Sequence, residues 1–331
     1  MEILIIGGTR FLGRHLVETA VRQGHEVTLF NRGKTNPELF SELEQLHGDR
    51  DSDLALLENR SWDTVIDTCG YFPRIVRKSA ELLANAVRHY VFVSTIAVYK
   101  DSHVIGLDET AEVATTEDET IEEITGQSYG ALKALCEQAV EDALPGRTLV
   151  VRPGLIVGPH DPSDRFTYWV QRIARGGEIL APEPKDLQTQ LIDARDLAAW
   201  IVNMVETGQT GVYHATGPKD RLTMQKLFQA INNTCNRKAS LVWMPEKFLL
   251  DHDVEPWIEL PMWLIEERGM MATNVAKVFS AGLICRPLEE TIRDTLEWHE
   301  SRPGEMEYKI SGMKPEREAE LLRAWHESDR S

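Results

Sequence analysis

A glycine-rich turn directly after an apolar run at the start of the chain constrains the fold most strongly. The segment Glu2–Ile6 predicts a buried strand, and apolar residues then recur at helical spacing as far as Val21, with Gly24 as the expected C-terminal cap. Glycines allow a tight turn and close packing of helix on strand, and a helix N-terminus favours an anion. The pattern therefore predicts a dinucleotide site rather than a purely structural turn, with contacts from Gly7, Gly8, Thr9, Arg10, Phe11, Leu12 and Gly13.

Further β-rich runs predict a doubly wound parallel sheet. A helix is expected from about Gly126 to Leu144, between the last two strand candidates. Strands separated by helices of this length form right-handed βαβ units, so the fold class is α/β. The predicted dinucleotide-binding domain covers residues 1–155, and a strand near 211–216 is added to it. The strand candidates are Val27–Phe30, Thr64–Asp67, Tyr90–Ser94 and Thr148–Arg152.

The second half of the chain differs in character, because strand-like segments become sparse after Gly154. We expect residues 156–331 to form mainly a smaller substrate lobe, so that the active cleft lies between the two parts. The Trp- and Pro-rich stretch from Trp243 to Trp263 is interpreted as an irregular cover of that cleft, and its tryptophans as packing residues. The segment Pro315 to Glu327 has the pattern of an amphipathic helix.

Charge limits the partners of the chain. The formal net charge is −17, which disfavours nucleic acid because a phosphate backbone would be repelled. Residues 101–125 hold nine acidic side chains and no Lys or Arg. We interpret them as a solvated, mobile loop, and a lid beside the active site is the alternative.

Metal sites and membrane segments are not predicted. The four cysteines form no CxxC pair and the ten histidines no HExxH pattern, so reduced thiols and no metal are expected. No window of eighteen apolar residues occurs, which argues against a transmembrane helix. Met1 leads into the apolar run without a basic segment, which favours the cytoplasm. The expected partner is a small molecule, and a homodimer is one assembly that we consider.

The end of the second predicted strand bears on the choice of cofactor. An NAD site usually has an acid there, which binds the ribose 2′-hydroxyl. This chain has Phe30-Asn31-Arg32-Gly33-Lys34 instead. Arg32 and Lys34, together with Arg10, could hold a 2′-phosphate, so we favour NADP over NAD. The alternative interpretation is that they are solvated surface cations.

A tyrosine and a lysine four residues apart carry the predicted chemistry. Tyr129 and Lys133 share one face of a helix that follows a strand ending in the hydroxyls of Ser94 and Thr95. A free phenol has a pKa of about 10, so we expect Lys133 to lower the pKa of Tyr129. Tyr129 would transfer a proton, and Thr95 would hydrogen-bond the reacting oxygen. An accidental surface pair is the alternative.

These motifs together resemble the extended short-chain dehydrogenase/reductase superfamily, within the NAD-dependent epimerase/dehydratase family. The resemblance covers nearly the whole chain, including the segments Ser94–Tyr99, Arg152–Pro159, Ile192–Leu197 and Arg286–Asp294. It implies a Rossmann domain and hydride transfer at a carbinol or carbonyl carbon, by an oxidoreductase or epimerase. It also implies the Thr95, Tyr129 and Lys133 roles, with Lys133 binding the ribose as well, and an adenine contact from Asp49.

Three departures from the family pattern restrict the function that the resemblance implies. Arg10 replaces the middle glycine of the loop, as in an atypical branch that includes chloroplast stem-loop RNA-binding proteins. Ile96 and Ala97 follow Thr95 where 4,6-dehydratases carry an acid pair, which disfavours that reaction. Leu155 occupies the place of an Asn that contacts substrate diphosphate, so a nucleotide sugar is less strongly indicated.

The alternative function is a cofactor-binding regulatory or RNA-binding homologue with little or no catalysis. Substrate contacts, by contrast, are expected from Ser94, Arg165 and Tyr168. Asp193 is predicted to cap a helix within a structural charge cluster.

Overall fold

The computed structural model describes residues 1–236, 238–302 and 311–328. Short 3-10 turns occur at Leu54–Leu57, Ile96–Val98 and Arg268–Met271. The strands in chain order are β1 Glu2–Ile6, β2 Glu26–Asn31, β3 Glu44–His47, β4 Trp62–Asp67, β5 Val87–Val93, β6 Thr148–Pro153, β7 Leu155–Val157, β8 Gly177–Pro182, β9 Gln188–Asp193, β10 Gly211–Ala215, β11 Gly217–Thr223 and β12 Ala239–Met244. The α-helices are α1 Leu12–Arg22, α2 Pro73–Leu83, α3 Ser128–Ala143, α4 Arg165–Arg175, α5 Ala194–Glu206, α6 Met224–Thr234, α7 Glu246–Asp251, α8 Ala276–Ser280, α9 Leu288–Ser301 and α10 Pro315–Ser328.

Seven strands form one parallel sheet in the order β10-β6-β5-β4-β1-β2-β3. The strand order reverses between β1 and β4, because the chain first builds β2 and β3 on one side of β1 and then crosses to the other side. Open parallel sheets bind ligands outside the carboxyl ends of the strands at such a reversal. The predicted doubly wound α/β fold is confirmed.

Helices cover both faces of this sheet. Alternate residues of β1 point to opposite layers: Ile3 and Ile5 pack in the core under α1 and α5, and Leu4 and Ile6 pack in the core under α2 and α3. All four side chains are buried. An unbroken apolar run is therefore what a strand covered on both faces requires.

The lobe has its own core, formed mainly by α4, α6, the chain from Met244 to Met271, and α10. Two small sheets support it, β11-β9-β7 and β12-β8. The expectation of few strands after Gly154 is therefore wrong. β7 has only three residues, and β11 carries polar, exposed residues at its centre, so neither shows the apolar run that predicts a strand.

Other sequence predictions differ from the structure in detail. β3 was not predicted, because its sequence Glu-Gln-Leu-His is short and lies at the sheet edge with no apolar run. The stretch Trp243–Trp263 contains the end of β12 and all of α7, and Trp263 is buried in the lobe core. The C-terminal helix is confirmed as α10, with Leu321 buried.

The acidic segment 101–125 contains no helix or strand, although all its residues are described. It is attached at several points: Ala114 donates its N–H to the Val98 carbonyl over 2.7 Å, and Glu122 pairs with Arg74. Among the described helices, none has the length and apolarity needed to cross a membrane.

Candidate active site

A cavity of about 630 Å³ lies at the carboxyl ends of β1, β2, β4 and β5, where the strand order reverses. Its volume is within the range of small-molecule and cofactor sites. Its lining includes the glycine loop from Gly7 to Gly13, the ends of β2 and β5, and Tyr129 and Lys133 of α3. The fold thus brings the cofactor residues and the reactive residues predicted from sequence to one cavity.

The glycine loop has the tight geometry that its sequence suggests. Gly7 and Gly8 adopt positive φ values of +108° and +96°, and a side chain on Gly7 would overlap the Thr68 hydroxyl. A Cβ atom on Gly13 would lie 2.9 Å from the Gly8 nitrogen, so the helix can approach the strand only with glycine there. α1 begins after Phe11 without a side-chain cap, so no side chain competes with an anion for this helix N-terminus.

Cations dominate the cavity wall. Five cationic side chains and only one acidic side chain, Asp49, line the cavity, although the whole chain carries a net charge of −17. In the described ranges, no ion pair involves any of the three cations predicted to hold a 2′-phosphate, and all three are exposed. A wall of this charge suits a ligand with several phosphate oxygens. The cations are Arg10, Arg32, Lys34, Arg50 and Lys133.

Two predicted cofactor residues are also part of the supporting loops. Asn31 accepts a hydrogen bond from the Gly33 N–H over 2.8 Å and so shapes the turn that presents Arg32. Asp49 accepts from the Asp51 N–H over 3.0 Å. Both residues line the cavity.

Sequence reasoning missed a buried ion pair at the cavity floor. Arg50 donates to both carboxylate oxygens of Asp67, over 2.9 and 2.7 Å, and also to Ser79. Burial alone would raise the pKa of Asp67, but Arg50 outweighs it and leaves that pKa below its ordinary value. The available signal was an acid at the end of a buried strand, which needs a partner; only the fold identifies Arg50 as that partner.

Thr95 and Tyr129 lie together where α3 begins. The Thr95 hydroxyl accepts a hydrogen bond from the Ala97 N–H over 3.1 Å and caps the 3-10 turn at Ile96–Val98. A Cβ atom on Gly130 would overlap the Ala97 carbonyl oxygen, so α3 packs directly on this turn. The Thr95 hydroxyl lies close enough to the Tyr129 phenol to lower its pKa.

The protonation of Tyr129 differs from the sequence prediction. Burial is the largest influence and raises its pKa to about 12, while the neighbouring Thr95 hydroxyl acts in the opposite direction. We expected Lys133 to lower this pKa, but the Lys133 ammonium instead donates to the Gly70 and Val93 carbonyl oxygens, over 2.6 and 2.8 Å. Burial lowers the pKa of Lys133 to about 8. The phenol therefore holds its proton at neutral pH.

The three expected substrate residues have different locations. Ser94 lines the cavity, but its hydroxyl donates to Glu137. Tyr168 is buried in the lobe core against Trp169, with ring centroids 4.9 Å apart. Arg165 places its guanidinium 5.0 Å from the Trp257 ring. Neither Arg165 nor Tyr168 is part of the cavity wall, because α4 turns this face towards the lobe.

Other groups near the cavity have structural surroundings. Burial raises the pKa of the Cys69 thiol, which donates to the Ile6 carbonyl oxygen over 3.6 Å. Asp193 caps α5 through the Arg195 N–H, as predicted, and also pairs with the Arg195 side chain. In the part of the chain that the structure describes, no group of three or more His, Cys, Asp or Glu residues is placed to hold a metal ion.

Comparison with known proteins gives one family match and several distant relatives. The sequence model of the NAD dependent epimerase/dehydratase family matches residues 3–215. The chloroplast stem-loop binding protein of 41 kDa b from Arabidopsis thaliana is 26% identical over 236 residues, which are 66% of this chain and 59% of that protein. This chain therefore spans less than two thirds of that relative's length.

Two further proteins match over most of their length. Ceramide reductase from Caulobacter vibrioides is 24% identical over 298 residues, covering 85% of this chain and 82% of that protein. The structure of UDP-glucuronic acid 4-epimerase from Bacillus cereus, in complex with NAD, is 12% identical and has a TM-score of 0.66. The match covers 91% of this chain and 99% of that one and shows a common fold.

Proposed function

Because the chain belongs to the NAD dependent epimerase/dehydratase family, we propose that it is an NADP-dependent oxidoreductase acting on a carbonyl or carbinol carbon of a small or sugar-like substrate. One observation carries the proposal. Thr95, Tyr129 and Lys133 line the same cavity as the glycine loop, at the carboxyl edge of a doubly wound sheet.

The cavity fits a dinucleotide. Its phosphates would lie at the N-terminus of α1, where the glycines leave room for them. Arg10, Arg32 and Lys34 would surround a 2′-phosphate, and the acid typical of an NAD site is missing from the end of β2. These features support NADP over NAD. When bound, the cofactor supplies the hydride chemistry.

The chain's own contribution is a proton at the reacting oxygen. With a pKa of about 12, Tyr129 is protonated at neutral pH and serves as the acid that a carbonyl reduction needs. Thr95 lines the cavity beside Tyr129 and orients the same oxygen. Lys133 is fixed by two carbonyl oxygens and presents its charge to the ribose. A Tyr129 phenol that holds its proton at neutral pH supports reduction of a carbonyl, rather than oxidation of an alcohol, as the favoured direction.

An epimerase would use the same three residues, but it would retain an oxidised cofactor. A 4,6-dehydratase is not favoured, because Ile96 is a buried apolar residue where that reaction needs an acid. Mass spectrometry of the purified protein distinguishes the two. An epimerase should carry a retained, oxidised cofactor, whereas a reductase exchanges its cofactor with solution.

The test of the proposed function is NADPH oxidation with a panel of aldehydes, ketones and nucleotide sugars. We expect turnover with at least one carbonyl compound and its loss in Tyr129→Phe. If NADPH binds but no member of the panel is reduced, and an RNA stem-loop binds instead, the chain is a binding homologue and the enzymatic proposal fails.

A further inference from the structure

A series of buried polar contacts begins beside Thr95 and leads away from the cavity. The Ser94 hydroxyl donates to the Glu137 carboxylate, and Arg152 donates to both oxygens of that carboxylate, over 3.0 and 2.6 Å. Ser94, Glu137 and Arg152 are each less than one tenth exposed. Water is therefore excluded, and the geometry of each contact is set by the protein.

The same series continues to β10. Arg152 donates to the Tyr99 hydroxyl over 2.7 Å, and Tyr99 is hydrogen-bonded to Nε2 of His214. Nδ1 of His214 lies 3.0 Å from the Asn274 carbonyl oxygen, which can only accept, so Nδ1 carries the proton. Burial lowers the pKa of His214, so the ring is neutral and Nε2 accepts from Tyr99. Each hydroxyl in the series thus donates to an acceptor.

The helix that carries Tyr129 contacts the end of β5 at three successive turns. Tyr129 meets Thr95, Lys133 donates to the Val93 carbonyl, and Glu137 accepts from Ser94. Residues 129, 133 and 137 share one helix face because they are four apart. The chain residues that they hold, 93 to 95, are consecutive. Movement of Ser94 would therefore move Thr95 relative to Tyr129.

We propose that Ser94 and Glu137 are positioning residues, which hold Thr95 in place beside Tyr129 in the cavity wall. The catalytic part of this inference rests on the proposed function. Under this proposal Ser94 has a supporting role and not the substrate contact expected from sequence, because its hydroxyl proton is already donated to Glu137. Arg152 pairs with the Glu137 carboxylate and holds it in place.

The test uses a matched pair of hydroxyl deletions. Ser94→Ala removes the contact with Glu137. Thr148→Val is the control, because Thr148 on β6 donates to Glu141, one turn further along α3 and away from the cavity. Both substitutions remove a hydroxyl-to-carboxylate hydrogen bond to this helix, which is buried at Ser94 and partly buried at Thr148. A purely structural role predicts the same behaviour for both variants.

Carbon-13 NMR of the full chain, with tyrosine labelled at the ring carbon that bears the hydroxyl, reports the surroundings of the Tyr129 hydroxyl without any substrate. The Tyr129 resonance is identified by its loss in Tyr129→Phe. We expect it to shift in Ser94→Ala and to stay in place in Thr148→Val. Glu137→Asp, which keeps the charge opposite Arg152 but withdraws it from Ser94, should shift it too.

Turnover gives a second readout. With the best carbonyl compound of the panel, Ser94→Ala should lower kcat about 10- to 100-fold, because small misplacements of reacting groups are costly, while the KM for NADPH stays within about twofold. A Tyr129 resonance unmoved in the folded variants, or moved equally in Thr148→Val, overturns the positioning role. Absence of turnover in the wild type instead overturns the proposed function and leaves the NMR result to decide this inference.

Discussion

The two ends of the cavity use charge in different ways. At the end predicted to bind the 2′-phosphate, Arg10, Arg32 and Lys34 are exposed, and the described residues provide no ion-pair partner for them. At the reaction end and on the floor, Lys133 is buried and Arg50 is mostly buried, and both are hydrogen-bonded by the protein itself. Exposed cations can be satisfied by a ligand, whereas buried ones hold the geometry that proton transfer requires.

The largest expected effect is at the reaction end. Tyr129→Phe removes the proton donor and keeps the ring, so turnover should fall by about 10²–10⁴-fold while NADPH affinity changes little. Steady-state kinetics and calorimetry measure the two quantities. Tyr213→Phe, in the core away from the cavity, is the control and should retain activity. Near wild-type turnover of Tyr129→Phe would mean that this end is not the reaction centre.

The next largest effect is on stability, and it tests Arg50 at the cavity floor. Arg50→Met leaves the Asp67 carboxylate buried without its partner, so the free energy of unfolding at pH 7 should fall by about 3–5 kcal/mol. Arg60→Met, which breaks an exposed pair with Glu44, should cost less than about 1 kcal/mol. Urea unfolding measures both.

The pH dependence of that difference has a definite sign. Arg50 lowers the pKa of Asp67 in the folded protein, so the pair stabilises the fold above the unfolded carboxyl pKa of about 3.9. This contribution is lost as the pH falls through the lower, folded pKa. The gap between wild type and Arg50→Met should therefore narrow in acid, and a gap that widens there would show that the pair is not its source.

A third test concerns how closely the catalytic helix must approach Thr95. Gly130→Ala places a methyl group against the Ala97 carbonyl oxygen, so α3 must shift, at a cost of about 1–3 kcal/mol in stability. Turnover should fall with it, because Tyr129 moves with the helix. Gly126→Ala has open space around its Cβ and should be neutral in both thermal unfolding and turnover.

A smaller effect is expected at the exposed cations. Arg32→Ala should weaken NADPH binding about tenfold and leave NADH binding unchanged, because only NADPH carries the 2′-phosphate. Calorimetry with both cofactors measures this. Arg221→Ala, an exposed cation outside the cavity wall, is the control. Equal losses for NADPH and NADH would remove Arg32 from the 2′-phosphate site.

The smallest expected effect is a pH dependence of NADH affinity that comes from Lys133 and not from the exposed cations. Burial lowers the pKa of Lys133 to about 8, so its ammonium loses its proton as the pH rises through that value. NADH binding, which does not involve a 2′-phosphate, should weaken several-fold between pH 7 and 9 in the wild type. Affinity independent of pH over this range would place Lys133 outside the ribose contact.

The local sequence determined much of this protein. The strand at Glu2–Ile6, the glycine turn with its positive φ angles, and the helix bearing Tyr129 and Lys133 follow from short-range patterns, because period, glycine and spacing act within a few residues. The alternation of β-rich runs with helical segments extended this to the doubly wound sheet, which the structure shows. The roles of Thr95, Tyr129 and Lys133 remain predictions that the variants above test.

Only the tertiary structure decided which distant residues became partners. Arg50 meets Asp67, Glu137 meets Ser94, and Tyr99 meets His214 across separations that no local pattern encodes. Only the tertiary structure also decided that Arg165 and Tyr168 lie outside the cavity wall. The orientation of α4 towards the lobe core depends on which apolar residues fill that core. Burial likewise set the pKa of Tyr129, because desolvation is a property of the packed fold and not of the residue.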